Sequence, residues 1–304
     1  MSTCAGLKAQ IIVATAVVAF VAGCGSNSTS SSTTSSTSPT ATTTGQATTT
    51  TAAASAPGQI IVPLGNEPSG TVNLSWDPGS KLVTAKLQMS GFTPGSSHAM
   101  HIHDGSCAKQ GDVLIPFGNV TADDKGVINT AVQSTQPSDK GLTAGTLLNI
   151  HLASVEDMGD PGSPSYMPIS CADVDPAMSS TLQMAPLPQF GDHPQSQAIL
   201  QYDPAAKTLT VPVRTTGLVP GSAHAVHIHL GSCSEQGPVK YHLNDLVASK
   251  DGVAESTTII DNVTEAPPAS GWYVNVHLGS HDEIEKDGKP TMFFAPILCG
   301  NITT

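Results

Sequence analysis

Arginine is almost missing from this chain. Arg214 is the single example in 304 residues, and lysine and arginine together number 12 against 24 aspartates and glutamates. Proteins that grip DNA or RNA neutralise phosphates with basic side chains, so a formal charge of −12 argues against that role. An anionic lipid surface would repel the chain for the same reason. Charged residues of both signs make up only 12% of the chain and aromatic residues 4%. The apolar run Ile11 to Ala22, about twelve residues, is too short to cross a bilayer of ~30 Å as a helix. No convincing helical pattern of ten residues or more follows it. In their place stand 28 glycines, 23 prolines and eleven histidines, the last nearly equal to all the basic residues. That composition fits short strands and many turns.

The apolar run has the length of a signal-peptide core, with Lys8 before it and Val21-Ala22-Gly23-Cys24 at its end. The last four residues resemble the bacterial lipobox, which makes Cys24 the lipidated first residue of the mature protein. Residues 1–23 are therefore expected to be a lipoprotein signal peptide. From Ser26 to Ser55, 21 of 30 residues are serine or threonine, and no charge lies between Lys8 and Glu67. Such a segment cannot bury enough apolar surface to fold, so residues 24–57 are expected to be a disordered tether. Fully extended, it could reach about 110 Å. The expected location is the cell envelope, with the protein anchored by lipid to the outer face of the membrane.

Residues 91–107 read GFTPGSSHAMHIHDGSC and residues 217–233 read GLVPGSAHAVHIHLGSC, with twelve of seventeen positions identical at an offset of 126. The same offset carries Trp76-Asp77-Pro78 onto Tyr202-Asp203-Pro204 and Asn149-Ile150-His151-Leu152 onto Asn275-Val276-His277-Leu278. That period is too long for a solenoid and points to tandem copies of one domain, over 58–176 and 184–304. Runs of β-forming residues bounded by Asp-Pro-Gly, Thr-Pro-Gly and Lys-Asp-Gly turns make each copy an all-β Greek-key barrel or sandwich. Pairing of the copies with each other, or of whole chains, is open.

Four cysteines remain once Cys4 and Cys24 are set aside, two in each copy. In an exported protein that even count reads as disulfides, and the repeat favours one bridge per copy, Cys107 with Cys171 and Cys233 with Cys299. Six histidines form two His-x-x-His-x-His motifs: His98, His101, His103 and His224, His227, His229. On a strand, residues two apart share a face about 6–7 Å apart, so His101 and His103 can hold one ion between them, as can His227 and His229. His98 and His224 have the opposite parity and read as structural donors. His151 and His277 follow at a constant interval within apolar runs and can join from a neighbouring strand. Three converging imidazoles suit copper or zinc, and nitrogen-rich ligation favours Cu(II).

The segment Gly-x-x-Pro-Gly-x-x-His-x-x-His-x-His, the cysteine shortly after it and the late cysteine behind an apolar strand resemble the copper/zinc superoxide dismutase family. Gly118-Asn119-Val120-Thr121-Ala122-Asp123-Asp124-Lys125-Gly126-Val127 looks like that family's hairpin after the zinc loop, and Cys299-Gly300-Asn301-Ile302 like its terminal segment. The resemblance implies an eight-stranded Greek-key barrel in each copy. It also implies copper ligands His101, His103 and His151 in copy 1 and His227, His229 and His277 in copy 2, with His98 and His224 supporting the site from behind. Two departures stand out. Copy 1 has no histidine between Cys107 and His151, so it lacks a metal-bridging ligand and a zinc site. Copy 2 has only His242 there, either an extra ligand or an ordinary surface histidine, and His281 reads as a solvated loop residue. The family's superoxide-guiding arginine is replaced by Pro168 and Pro296.

The expectation is thus an exported, lipid-anchored copper protein with about one copper per copy and no zinc. Its partners would be the metal ion and the membrane through the lipid. Turnover of superoxide by that copper is the alternative, and a non-catalytic extracellular module with structural histidines is a further one.

Overall fold

The computed structural model describes residues 59–175, 179–184 and 196–304. The expected signal segment, Cys24, the tether and residues 176–178 and 185–195 lie outside the described residues. In chain order the strands are β1 (Gln59–Pro63), β2 (Gly65–Asn66), β3 (Ser69–Trp76), β4 (Val83–Ser90), β5 (Ser97–Ser106), β6 (Lys109–Thr121), β7 (Ile128–Gln133), β8 (Thr146–His151), β9 (Pro168–Val174) and β10 (Ser179–Met184). The second half adds β11 (Gln197–Asp203), β12 (Thr208–Thr215), β13 (Ala223–Ser232), β14 (Glu235–Val247), β15 (Ala254–Ile260) and β16 (Trp272–His277). The short pair β17 (Glu285–Lys286) and β18 (Lys289–Pro290) follows a one-turn helix α1 (His281–Ile284), and β19 (Pro296–Asn301) closes the chain. No helix among the described residues is long and apolar enough to cross a membrane.

The all-β expectation holds, and every strand pair is antiparallel. Copy 1 stacks a sheet ordered β10-β3-β4-β7 on one ordered β6-β5-β8-β9. Copy 2 stacks β1-β11-β12-β15 on β14-β13-β16-β19-β2. Alternation explains the stacking. In β4, Val83, Ala85, Leu87 and Met89 are buried while the residues between them are not. They meet Met100 and Ile102 of β5 and Leu148 and Ile150 of β8 in one apolar core. The equivalent core of copy 2 joins Leu209, Val211 and Val213 to Val226, Ile228, Val274 and Val276. The Lys-Gly and Asp-Gly turns need glycine for a steric reason. Gly126 and Gly252 have φ of +76° and +71°, and a Cβ there would strike the Phe92 and Leu218 carbonyls at 2.2 and 2.5 Å.

The copies exchange strands. The first strand, β1, pairs with β11 of copy 2, and β2 pairs with β19. In return β10, which follows copy 1 in the chain, pairs with β3 of copy 1 from Ser179–Ser75 to Met184–Gly70. Val62 and Leu64 accordingly belong to the core of copy 2, whereas Leu182 and Met184 belong to that of copy 1. The boundary between the copies is also bridged by polar contacts. The Gln236 backbone N–H donates to the Lys125 carbonyl (2.9 Å), the Gln236 side-chain amide donates to the Phe92 carbonyl (3.0 Å), and Lys125 pairs with Glu235 at 3.1 Å. The described residues of both copies fall in one compact unit.

The disulfides are Cys107–Cys171 and Cys233–Cys299, tying the start of the β5–β6 and β13–β14 connections to the last strand of each copy. The chain-entropy model assigns up to ~4 kcal/mol to a bridge closing a loop of this size.

Candidate metal centres

Strand parity places the histidines. On β5 the core takes Met100 and Ile102, so His101 and His103 project from the opposite face of the sheet. The neighbouring β8 sends Leu148 and Ile150 inward and His151 outward, beside His101 and His103. The three rings stand 5.2–5.7 Å apart between centroids, all buried. Copy 2 repeats the arrangement with His227 and His229 on β13 and His277 on β16, at 4.8–5.7 Å. In each triad one nitrogen from every ring lies within 4.8 Å of the other two, so each triad could hold a metal ion.

Backbone carbonyls orient these rings. The Nδ1–H of His151 donates to the Tyr166 carbonyl (2.6 Å) and that of His277 to the Phe294 carbonyl (2.6 Å). His103 and His229 donate in the same way to Gly111 (3.0 Å) and Gly237 (2.9 Å). A neutral imidazole has one N–H, so each of these four rings turns an Nε2 lone pair toward its triad. His101 Nδ1, His151 Nε2 and His229 Nε2 are buried and have no hydrogen-bond partner. Buried polar atoms are rarely left so, and three of them aimed into two imidazole clusters fit a cation. The rings are also held neutral. Burial, with repulsion from His151 and His103, pushes His101 down to about 4, and burial takes His151 to about 4 against the opposing pull of the Tyr166 carbonyl. In copy 2, burial followed by the surrounding histidines lowers His227 to about 2, and burial lowers His277 to about 3. His103 and His229 are lowered chiefly by burial as well.

His98 and His224 sit on the core side of their strands. Each donates an Nδ1–H to the carbonyl of the triad histidine on the next strand, His98 to His151 and His224 to His277, both at 2.9 Å. They hold the backbone of a ring in the triad and do not reach its centre.

Two residues that the sequence left open or set aside converge on copy 2. His242, on β14 directly opposite His227, brings its Nδ1 to 3.0 Å from His227 Nε2. His281, expected as a solvated loop residue, brings its Nε2 to the same nitrogen, also at 3.0 Å. The position of His281 has a local cause. The chain turns into α1 immediately after Ser280, and Asp245 of β14 binds the His281 Nδ1 and accepts its backbone N–H. A sequence signal was present in the substitution of Val155 by His281 between the copies, but only the fold sets it beside β14.

The copies differ in their surroundings. In copy 1, Asn149 donates to Gln110 (2.9 Å), whose amide lies over His103, and Tyr166 packs on His151. In copy 2, Gln236 turns to the other copy, Tyr273 stacks on His229 and Phe294 covers His277. Arg214 lies on β12 and pairs with Glu255 of β15 at 2.8 Å.

Residues 178–285 match the family described as CHRD domain. That stretch takes in β11 to β16 and includes His224, His227, His229, His242, His277 and His281. A search of curated proteins finds no match. Among solved structures, the chain is similar to the monomeric copper, zinc superoxide dismutase from Salmonella enterica. That match has 16% identity over 36% of this chain and 88% of that one, with a TM-score of 0.28. So low a score carries no argument. The resemblance to the copper/zinc superoxide dismutase family is therefore corrected, since the family match falls to the CHRD domain. Of the two copies of the motif that suggested the dismutases, the one on β13 and β16 lies inside that match.

Proposed function

We propose that this is an exported, lipid-anchored metal-binding protein of the cell envelope that holds copper in one three-histidine centre per copy. The observation that carries the reading is the set of unpartnered buried nitrogens, His101 Nδ1, His151 Nε2 and His229 Nε2, inside two equivalent triads. His101, His103 and His151 would hold one ion, and His227, His229 and His277 the other. An all-imidazole donor set suits copper, whose affinity leads the divalent first-row ions. The protein's own contribution is orientation. The carbonyls of Tyr166, Phe294, Gly111 and Gly237 set the tautomers, and His98 and His224 brace the strands behind them. Tyr166 packs on His151, Tyr273 on His229 and Phe294 on His277, which further fixes these rings.

The test is copper per chain, measured by mass spectrometry after loading and desalting, in the wild type and in a variant with His101, His103, His227 and His229 all replaced by alanine. At least one copper per copy is expected in the wild type, with the triad-bound copper lost in the variant. Equal copper in both proteins would refute the reading and leave the histidines a structural role in an extracellular module. The anchor is tested separately. Cys24→Ser should move the protein from the membrane fraction to the soluble one, because a lipid chain supplies the membrane affinity.

A further inference from the structure

The imidazole of His227 presents both its nitrogens to other histidines. On one side, Nδ1 lies 3.0 Å from His277 Nε2 within the buried triad. On the other, Nε2 lies 3.0 Å from both His242 Nδ1 and His281 Nε2. Counting hydrogens shows that the ring cannot satisfy these contacts alone. His277 has committed its N–H to the Phe294 carbonyl, so its Nε2 offers a lone pair. A neutral His281 commits its one N–H, at Nδ1, to the Asp245 carboxylate, so its Nε2 offers one too. A neutral His227 carries one N–H. Placed on Nδ1, it leaves two lone pairs facing each other at His281. Placed on Nε2, it leaves two facing each other at His277. A cation on each side removes both conflicts once His227 releases its one N–H proton to solvent and binds as an imidazolate.

We propose that copy 2 carries a second metal site, built from His227 Nε2, His242 Nδ1 and His281 Nε2, so that His227 joins two ions. The outer site stands on these three residues alone, and the joining role rests on the buried triad proposed above. Ring nitrogens around one ion with bonds of ~2.0–2.1 Å lie about 3 Å apart, which matches the two 3.0 Å separations. Asp245 behind His281 is the carboxylate–histidine arrangement that fixes a ligand ring and raises its basicity. His242 is exposed and His281 half-buried, so the outer ion can enter from solvent without opening the sheet. The ligand class is a divalent first-row transition ion of the zinc or copper type.

Copy 1 provides an internal control. At the offset of 126, His242, His281 and Asp245 correspond to Pro116, Val155 and Asn119. The scaffold is retained there, since the Val155 N–H donates to the Asn119 side chain (2.8 Å) as the His281 N–H does to Asp245 (3.4 Å). Only the donor atoms differ, so the outer site belongs to copy 2.

The experiment loads the full chain with excess Cu2+, removes free ion by desalting, and measures copper per chain together with the EPR spin count at liquid-helium temperature. Three coppers and a spin count near one are expected for the wild type, because two Cu2+ ions joined through one imidazole couple magnetically and fall silent. His242→Ala combined with His281→Ala should bind two coppers and show two spins. Both substitutions lie at the solvent-facing side and leave the cores untouched. Two coppers in the wild type, unchanged in the double variant, would overturn the outer site. Three coppers with three spins would overturn the joining role of His227. A single copper, lost in the double variant, would uphold the outer site while sinking the buried triads and the joining role together.

Discussion

Truncating Leu182 should damage copy 1, although the residue follows copy 1 in the chain and precedes copy 2. Leu182 is 3% exposed, faces Val72 across the β10–β3 pair and packs in the core of Val72, Leu74 and Leu87. Leu64, 6% exposed, is its counterpart, since it lies at the start of copy 1 in the chain yet packs with Leu200, Val211 and Leu298 of copy 2. A buried leucine cut to alanine costs about 2–5 kcal/mol in lost transfer energy and residual cavity. At about 1.4 kcal/mol per decade, that lowers the protection of amides exchanging through the affected unit roughly 30- to 5,000-fold. Hydrogen exchange read by mass spectrometry on peptides gives the assay. Leu182→Ala should deprotect β3, β4 and β7 and leave β11 and β12 near their wild-type rates. Leu64→Ala should do the reverse. If Leu182→Ala deprotects β11 and β12 and spares β3, the exchange of strands is refuted, and each copy keeps its own.

Two further outcomes concern pH. In the metal-free protein the triad histidines titrate below the ordinary 6.5 because they are buried, with His101 and His151 at about 4. A lowered histidine leaves the unfolded state binding more protons, so stability is full above pH 6.5 and falls as pH drops from there through 4. The urea midpoint of apo protein should therefore be lower at pH 5 than at pH 7.5, and the fall should shrink when His101 and His151 are replaced. An unchanged midpoint would show that these rings are not buried as neutral groups. Glu67 acts in the opposite direction. It sits where the chain passes between the copies, its N–H donating to the Ile297 carbonyl, and burial raises its carboxyl to about 7. Its charge is a penalty above pH 7 that disappears as pH falls toward 4.5. Glu67→Gln should raise the urea midpoint at pH 8 and change it little at pH 5, and a lower midpoint at pH 8 would contradict the assignment.

The repeat, the strand character and both disulfides could be read from residue spacing because each is a local or strictly periodic property. Strand parity at His98, His101 and His103 needs only the two-residue period of an extended chain, and so does the division into a braced and a converging set. His281 could not be read in this way. Four residues beyond His277 it has no periodic relation to His227, and it reaches that ring only because α1 folds back beside Asp245. His242 was visible as a histidine in the right interval, but its role depended on β14 registering His242 opposite His227.

By itself the sequence determined that this is a two-copy β protein with paired cysteines and two sets of histidines carried on strands. The tertiary structure decided which strand belongs to which copy. β1 and β10 each lie at the edge of a sheet, and the pairing energy of an edge strand depends on the partner it meets, not on its place in the chain. Tertiary structure likewise decided that one copy gathers five histidines and the other three. A ligand set is a matter of distances between side chains, and those distances are set by register and by one turn after β16.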